Sequence, residues 1–420
     1  MPERKYIYVY GDWKELEGPK HMGNLAVDFV RGKEIFSFTY DKNWLAKGQG
    51  LQLDPELQLF GGDQYPSEEK ENFGVFLDSC PDRWGRVLMK RREAILAKDE
   101  KRDERKLYES DYLLGVFDGN RMGAIRYKLD PDSEFLNNNK EFASPPWIKL
   151  RELEEASLKL EEEGIENTKD YLKWINLLIS PGSSLGGARP KASILDGNEN
   201  LWIAKFPSRN DDYNIGAWEF VAFKIAQEAG IDISQCKAER FNSKHHTFLT
   251  KRFDRDGENK RSHFASAMTC LGKMDGSTDV SYLELATFIT INGSNITSDL
   301  QELWRRIVLS ICVSNIDDHL RNHGFILTDK GWRLSPAFDI NPVRDGEGLK
   351  LNITETDNSQ TLETAMSVIA HFRLSESKAL KIVQEVKNAV FKWSMHAKAL
   401  GIPSAEQERM FRAFRVGLKD

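Results

Sequence analysis

The spacing of apolar residues changes along this chain, and the change limits the folds open to it. Over the first 60 residues, short apolar runs at 6–10, 25–30 and 35–40 alternate with Gly, Asp and Asn clusters, the pattern of consecutive strands and turns. The spacing becomes helical over 84–108, and residues 147–164 predict an amphipathic helix closed by Gly164. A further apolar run covers 171–178, residues 177–180 and 191–195 read as strands flanking a loop, and 201–206 and 247–253 read as strands on either side of a helix at 216–230. After about residue 280 helices dominate, at 282–291, 300–315 and in one long C-terminal helix at 376–400 with Ser375 as its N-cap. Mixed strand and helix first, then mostly helix, predicts an α+β chain. Turn formers concentrated between Leu129 and Pro146 mark the clearest boundary, giving an N-terminal part over 1–145, a middle part over 146–278 and a helical part over 279–420.

Composition narrows the function classes. With 40% hydrophobic residues the 420-residue chain can fill several cores, which excludes wholesale disorder. Against 59 Lys and Arg stand 65 Asp and Glu, a net charge of −6, so coating nucleic acid by charge alone is excluded. The cysteines, Cys80, Cys236, Cys270 and Cys312, form no CxxC pair and read as small buried apolar residues in a reducing compartment. No apolar run approaches the length of a membrane span, so a soluble cytoplasmic protein is expected.

Four segments carry chemistry. Moving a phosphoryl group needs a cradle for phosphates, a cation, a base for the acceptor hydroxyl and oxygen ligands for Mg²⁺. The loop Gly182-Ser-Ser-Leu-Gly-Gly-Ala188 is small enough for backbone N–H groups to approach phosphate oxygens, although a plain hairpin turn has the same composition. Lys205 ends the run Trp202-Ile-Ala-Lys205, and Glu219 follows 14 positions later on a predicted helix as a carboxylate that could aim it. In Asn315-Ile-Asp317-Asp318-His319-Leu-Arg321-Asn322-His323, the pair Asp317 and Asn322 has the D-x-x-x-x-N spacing of a base and a metal-binding amide, and Asp318 does not. Asp339, in Leu334-Ser-Pro-Ala-Phe-Asp339, is the second Mg²⁺ ligand candidate. A rival use of the third segment is zinc, since His319 and His323 would share a face if the segment were helical; Gly324 and the missing intervening Glu argue against it.

These segments together resemble the HipA family of serine/threonine kinase toxins from bacterial type II toxin–antitoxin systems. Ser184-Leu-Gly-Gly-Ala-Arg-Pro-Lys191 is similar to the family's phosphate loop, Thr250-Lys-Arg-Phe-Asp-Arg255 to its hinge strand, Asp317-Asp-His-Leu-Arg-Asn322 to its catalytic loop, Leu334 to Asp339 to its metal motif, and Cys80-Pro-Asp-Arg-Trp-Gly-Arg86 to a segment of its N-terminal subdomain. The resemblance implies a two-lobed, atypical protein-kinase-like α+β fold with a mostly helical C-terminal lobe. It implies ATP and Mg²⁺ as cofactors, with Asp317, His319 and Lys205 catalytic and Asn322 and Asp339 on the metal. It places nucleotide against Ser184, Leu185, Gly186, Gly187, Ala188, Lys191, Lys205, Glu219, Lys251 and Phe253, with Ser184 an autophosphorylation site. Implied partners are a helix-turn-helix antitoxin and a protein substrate, typically an aminoacyl-tRNA synthetase, with DNA reached only through the antitoxin complex and no membrane. Arg189-Pro190 replaces the Gln-Glu of some members, and Lys251 stands where others carry an acid. A phosphate on Ser184 would add about −1.5 to −2 charges beside ATP and switch the kinase off, whereas an unmodified Ser184 could donate to a phosphate. Other classes compatible with the motifs are a small-molecule phosphotransferase of the aminoglycoside-kinase type and an inactive, antitoxin-binding corepressor.

Overall fold

The computed structural model describes residues 4–46, 52–162, 164–165, 168, 170–178, 189–258 and 260–419. Two compact units divide the chain, the first comprising 1–204 and 254–274, the second 205–253 and 275–420.

The first unit is built on a four-stranded antiparallel sheet in the order β3-β2-β1-β4, from β1 (Lys5–Gly11), β2 (Lys20–Val30), β3 (Lys33–Tyr40) and β4 (Ile125–Lys128). Period-two alternation sends Ile7 and Val9 of β1 into the core while Tyr6 stays exposed. Gly23 lets β2 approach β3 closely, because a Cβ there would lie 2.2 Å from the Thr39 carbonyl oxygen. The longer helices of this unit are α1 (Arg83–Asp99), α2 (Glu109–Gly115), α3 (Leu150–Lys159) and α4 (Tyr171–Leu178). Beyond them lie the neighbouring strands β5 (Lys191–Leu195) and β6 (Leu201–Lys205). Buried Arg121 ties loops together by donating to the carbonyls of Ser79, Leu113, Val116 and Leu136.

Three expectations need correction here. The helix expected over 84–108 stops at Asp99, because the buried Glu93 carboxylate accepts from the Arg102 guanidinium and from the Arg105 backbone N–H, which folds the chain back on itself. The helix expected over 147–164 is a short 3-10 turn at Trp147–Lys149 followed by α3, which ends at Lys159. Residues 177 and 178, expected to open a strand, instead finish α4; the phosphate-loop candidate 182–188 lies outside the described residues.

The second unit contains α5 (Ile215–Glu228), the antiparallel pair β7 (Cys236–Glu239) and β8 (Thr247–Lys251), then α6 (Tyr282–Asn292) and α7 (Ile296–Val313). The hairpin β9 (Gly324–Thr328) and β10 (Gly331–Leu334) follows, then α8 (Glu376–Val390), α9 (Trp393–Ala399) and α10 (Ser404–Met410). Helix α7 is the centre, burying Leu303, Trp304, Ile307, Val308 and Ile311 and packing against α8. Ser375 caps α8 by accepting from Lys378 N, as expected. The single long C-terminal helix does not form. It bends at Phe391 and Lys392, and the bend delivers Trp393 to stack on Phe414 at 5.0 Å between ring centroids and to meet Trp218 at 6.0 Å. Three of the four free cysteines are buried and Cys236 is half-buried; burial pushes the Cys80 and Cys312 thiols up to about 12. No helix among the described residues is long and apolar enough to cross a membrane.

His263, buried in the first unit beside the Trp13 ring at 5.6 Å, is pushed down to about 3 by burial and is neutral in the folded chain. Between its unfolded value near 6.5 and that depressed value the unfolded state binds the extra proton, so stability falls as pH falls. In urea denaturation at pH 7 and pH 5, His263→Phe is expected to lose about 2 kcal/mol less than the parent over that interval.

Candidate active site

Lys205 is the last residue of β6 and its side chain is nearly fully buried. Its ammonium donates to Glu219 Oε1 at 2.5 Å and to Asp339 Oδ1 at 2.6 Å. Burial alone would discharge the ammonium, but the Asp339 and Glu219 carboxylates outweigh that and hold its pKa above the ordinary lysine value.

Each carboxylate is aimed by its own local structure. Glu219 lies in the second turn of α5, whose N-cap is Asn214. Asn214 Oδ1 accepts from Ala217 N and His246 N, which leaves its amide nitrogen to meet His246 Nδ1 at 2.8 Å. The imidazole must therefore accept there. Burial, with the charges of Arg240 and His245, pushes it down to about 4, so it is neutral and able to do so. Gly216 permits the helix to abut this strand, since a Cβ would lie 2.2 Å from the His246 carbonyl oxygen. From α10, Glu406 Oε1 accepts from Asn214 N at 3.0 Å and from Trp218 Nε1 at 2.8 Å, placing negative charge at the α5 N-terminus.

Asp339 sits in the left-handed region at φ +57°, where an aspartate is better tolerated than most residues. Its Oδ1 also accepts from Asn341 Nδ2 at 2.9 Å. The Asn341 backbone N–H in turn donates to Asn315 Oδ1 at 3.1 Å, so the Asp339 segment and the 315–323 loop are joined. Phe338, the residue before Asp339, brings its ring to 5.7 Å from Phe253.

The loop begins where Ser314, at φ +51°, ends α7. Asp317 is exposed, whereas Asp318 is buried. Asp318 Oδ2 accepts from Tyr282 OH at 2.5 Å and Ser310 Oγ at 3.3 Å, and Oδ1 lies 2.9 Å from His323 Nε2 without the alignment of a hydrogen bond. Burial would raise this carboxyl; the His323 ring and the Tyr282 hydroxyl reverse the effect and hold it below the usual carboxylate range. Asn322 closes a short 3-10 turn, Leu320–Asn322, and donates from Nδ2 to the Asp317 carbonyl at 3.0 Å. Its Oδ1 is buried without a hydrogen-bond partner among the described residues. A buried amide oxygen left unmatched in protein, in a segment tied to a carboxylate, suits a hard cation that takes oxygen ligands.

Of the expected site residues, Lys205, Glu219 and Asp339 meet directly, and Asp317 and Asn322 share one loop bound to the Asp339 segment. His319 is half-buried ahead of the 3-10 turn, its Nδ1 unpartnered among the described residues. Lys251 ends β8 with its side chain half-buried. Lys191, expected to reach nucleotide, is buried in the first unit and pairs at 2.7 Å with Asp82, the residue that N-caps α1. Ser184, Leu185, Gly186, Gly187 and Ala188 lie outside the described residues. The zinc arrangement lacks the helix it requires, since α7 stops at Val313 and His323 turns to Asp318. Sequence reasoning missed Asn341, Tyr282, Ser310 and Glu406; only Asn341, an amide two positions after Asp339, left a local signal.

Residues 183–393, half of the chain, match the model of the HipA-like C-terminal domain. The chain therefore belongs to the HipA family, whose members are kinase-like proteins. A Haemophilus influenzae protein described as "Putative kinase" is 29% identical over 180 residues, and the chain spans about half the length (52%) of that curated relative. The HipA chain of the Shewanella oneidensis MR-1 toxin–antitoxin system, solved with HipB and operator DNA, shares the fold at a TM-score of 0.63 and 16% identity, over 95% of each chain. The Helicobacter pylori proinflammatory kinase CtkA matches 54% of this chain and 93% of its own at 17% identity and a TM-score of 0.37.

Replacing Asn214 with alanine removes the α5 cap and leaves His246 without its buried partner. Urea denaturation is expected to show a loss of about 2–3 kcal/mol.

Proposed function

We propose that this chain is an ATP- and Mg²⁺-dependent serine/threonine protein kinase acting as the toxin of a type II toxin–antitoxin module. The observation that carries the reading is the buried Lys205 ammonium held between Glu219 and Asp339, because that lysine-carboxylate pair is what protein kinases use to aim a cation at nucleotide phosphates. The exposed Asp317 supports it further. A base must reach substrate, and of the two adjacent aspartates only this one faces solvent.

In this reading Lys205 holds the phosphates of ATP, with Phe253 and Lys251 at the adenine and Ser184 to Ala188 at the phosphate loop. Asp317 takes the proton of the acceptor hydroxyl as its oxygen bonds to the γ-phosphorus. The bond to the bridging oxygen breaks, and ADP leaves with the electron pair. His319 belongs to the same catalytic loop. Asn322 Oδ1 and the Asp339 carboxylate would hold Mg²⁺, and these oxygen donors fit it. Bound there, the ion would neutralise charge on the nucleotide phosphates.

A fold shared with a HipA solved alongside HipB and operator DNA supports a helix-turn-helix antitoxin as partner, with DNA engaged only through that complex. The protein substrate in this reading is a translation component, an aminoacyl-tRNA synthetase, and Ser184 is autophosphorylated.

Two measurements test the proposal. Asp317→Asn is expected to lower phosphoryl transfer from labelled Mg²⁺-ATP by about a hundred-fold or more while leaving the melting temperature unchanged; full transfer by this variant refutes the base assignment. Mass spectrometry of the purified chain after incubation with Mg²⁺-ATP is expected to find phosphate on Ser184 and none there in Lys205→Met. Phosphate on a free aminoglycoside-like acceptor, with no protein labelled, would favour the small-molecule alternative.

A further inference from the structure

The loop that carries the proposed base contains two adjacent carboxylates with opposite surroundings. Asp317 is exposed; Asp318 is 4% exposed and meets polar groups from three elements. Tyr282 OH comes from the first turn of α6, Ser310 Oγ from the last turn of α7, and the His323 ring from the far end of the loop itself. A carboxylate taken this far out of water is costly unless such partners surround it. Three anchors on one side chain also leave the backbone on either side of it little freedom.

The contacts do not stop at Asp318. Ser310 Oγ, which donates to Asp318, accepts from Asn315 Nδ2 at 3.4 Å, and Asn315 Oδ1 holds the Asn341 N–H. Asn341 Nδ2 reaches Asp339 Oδ1, the oxygen that also accepts from Lys205. A continuous run of hydrogen bonds therefore leads from a phenol inside α6 to the lysine of the candidate site. A small cavity at the same place is lined on its polar side by Ser310, Asn315, Asp318, Asn322 and His323 and on its apolar side by Leu309, Phe338 and Ile340.

We propose that Asp318 is a positioning residue: clamped by Tyr282, Ser310 and His323, it sets the loop so that Asp317 faces out and Asn322 Oδ1 faces in, and it ties that loop through Asn315 to the Asp339 segment. The inference rests on the kinase reading for what the loop does, and on geometry alone for how the loop is held. The adjacent acids divide the work: Asp317 acts on substrate and Asp318 acts on Asp317.

Tyr282→Phe tests it, because one donor to Asp318 disappears and the ring that fills the core stays. Hydrogen exchange on the full-length chain is expected to quicken by roughly ten-fold in residues 315–323 and 339–341 and to stay unchanged in α8 and in the first unit. In the transfer assay kcat is expected to fall by roughly ten-fold with the KM for ATP held within about two-fold. Asp318→Asn, which keeps the shape and removes the charge, is expected to lower kcat further at the same KM. Exchange that quickens everywhere or nowhere, or a kcat equal to that of the parent, overturns the proposal. If the parent chain transfers no phosphate at all, the kinase reading fails by itself, and the exchange pattern still decides whether Asp318 holds the loop.

Discussion

A buried ammonium between two carboxylates is the constraint that orders the second unit. Lys205 cannot remain charged out of water unless Glu219 and Asp339 are both within reach, and those residues lie 14 and 134 positions away along the chain. Meeting that condition means fixing a helix on one side and a strained turn on the other. The helix is fixed by its N-terminus, where Asn214, the neutral His246 ring and Glu406 satisfy one another. The turn is fixed by Asn341, which holds the Asp339 carboxylate while the backbone occupies a left-handed conformation.

The loop between them follows the same logic. A functional carboxylate has to be accessible, and an accessible carboxylate on a mobile loop is poorly aimed. Here accessibility and rigidity fall to neighbouring residues, Asp317 outside and Asp318 inside. The Asn322 amide is likewise divided: its nitrogen binds the Asp317 carbonyl, and its oxygen keeps no partner among the described residues. That division leaves one buried amide oxygen of the loop unmatched among the described residues.

The first unit solves its polar problem with arginines. Arg121 serves four backbone carbonyls, and Arg102 with the Arg105 backbone is gathered by Glu93, so α1 ends earlier than its side-chain spacing suggests. The C-terminal helix is cut short for an apolar reason, the stacking of Trp393 on Phe414. In both places a contact made at long range overrides a pattern that is locally consistent with helix.

What the sequence determined by itself was part of what depends on near neighbours. Apolar runs between turn formers pointed to strands at 6–10, 25–30 and 35–40, helical spacing pointed to helices at 216–230, 282–291 and 300–315, where β1 to β3 and α5 to α7 lie, and the interval from Asp317 to Asn322 singled out the loop. Only the tertiary structure decided which carboxylate of the adjacent pair is buried, that Lys191 turns to Asp82, and that Tyr282, Ser310 and Asn341 support the loop. The physical reason is range. Periodicity and capping act within a few residues, whereas a hydrogen bond spanning 36 positions or an ion pair spanning 134 exists only after the core has brought its ends together.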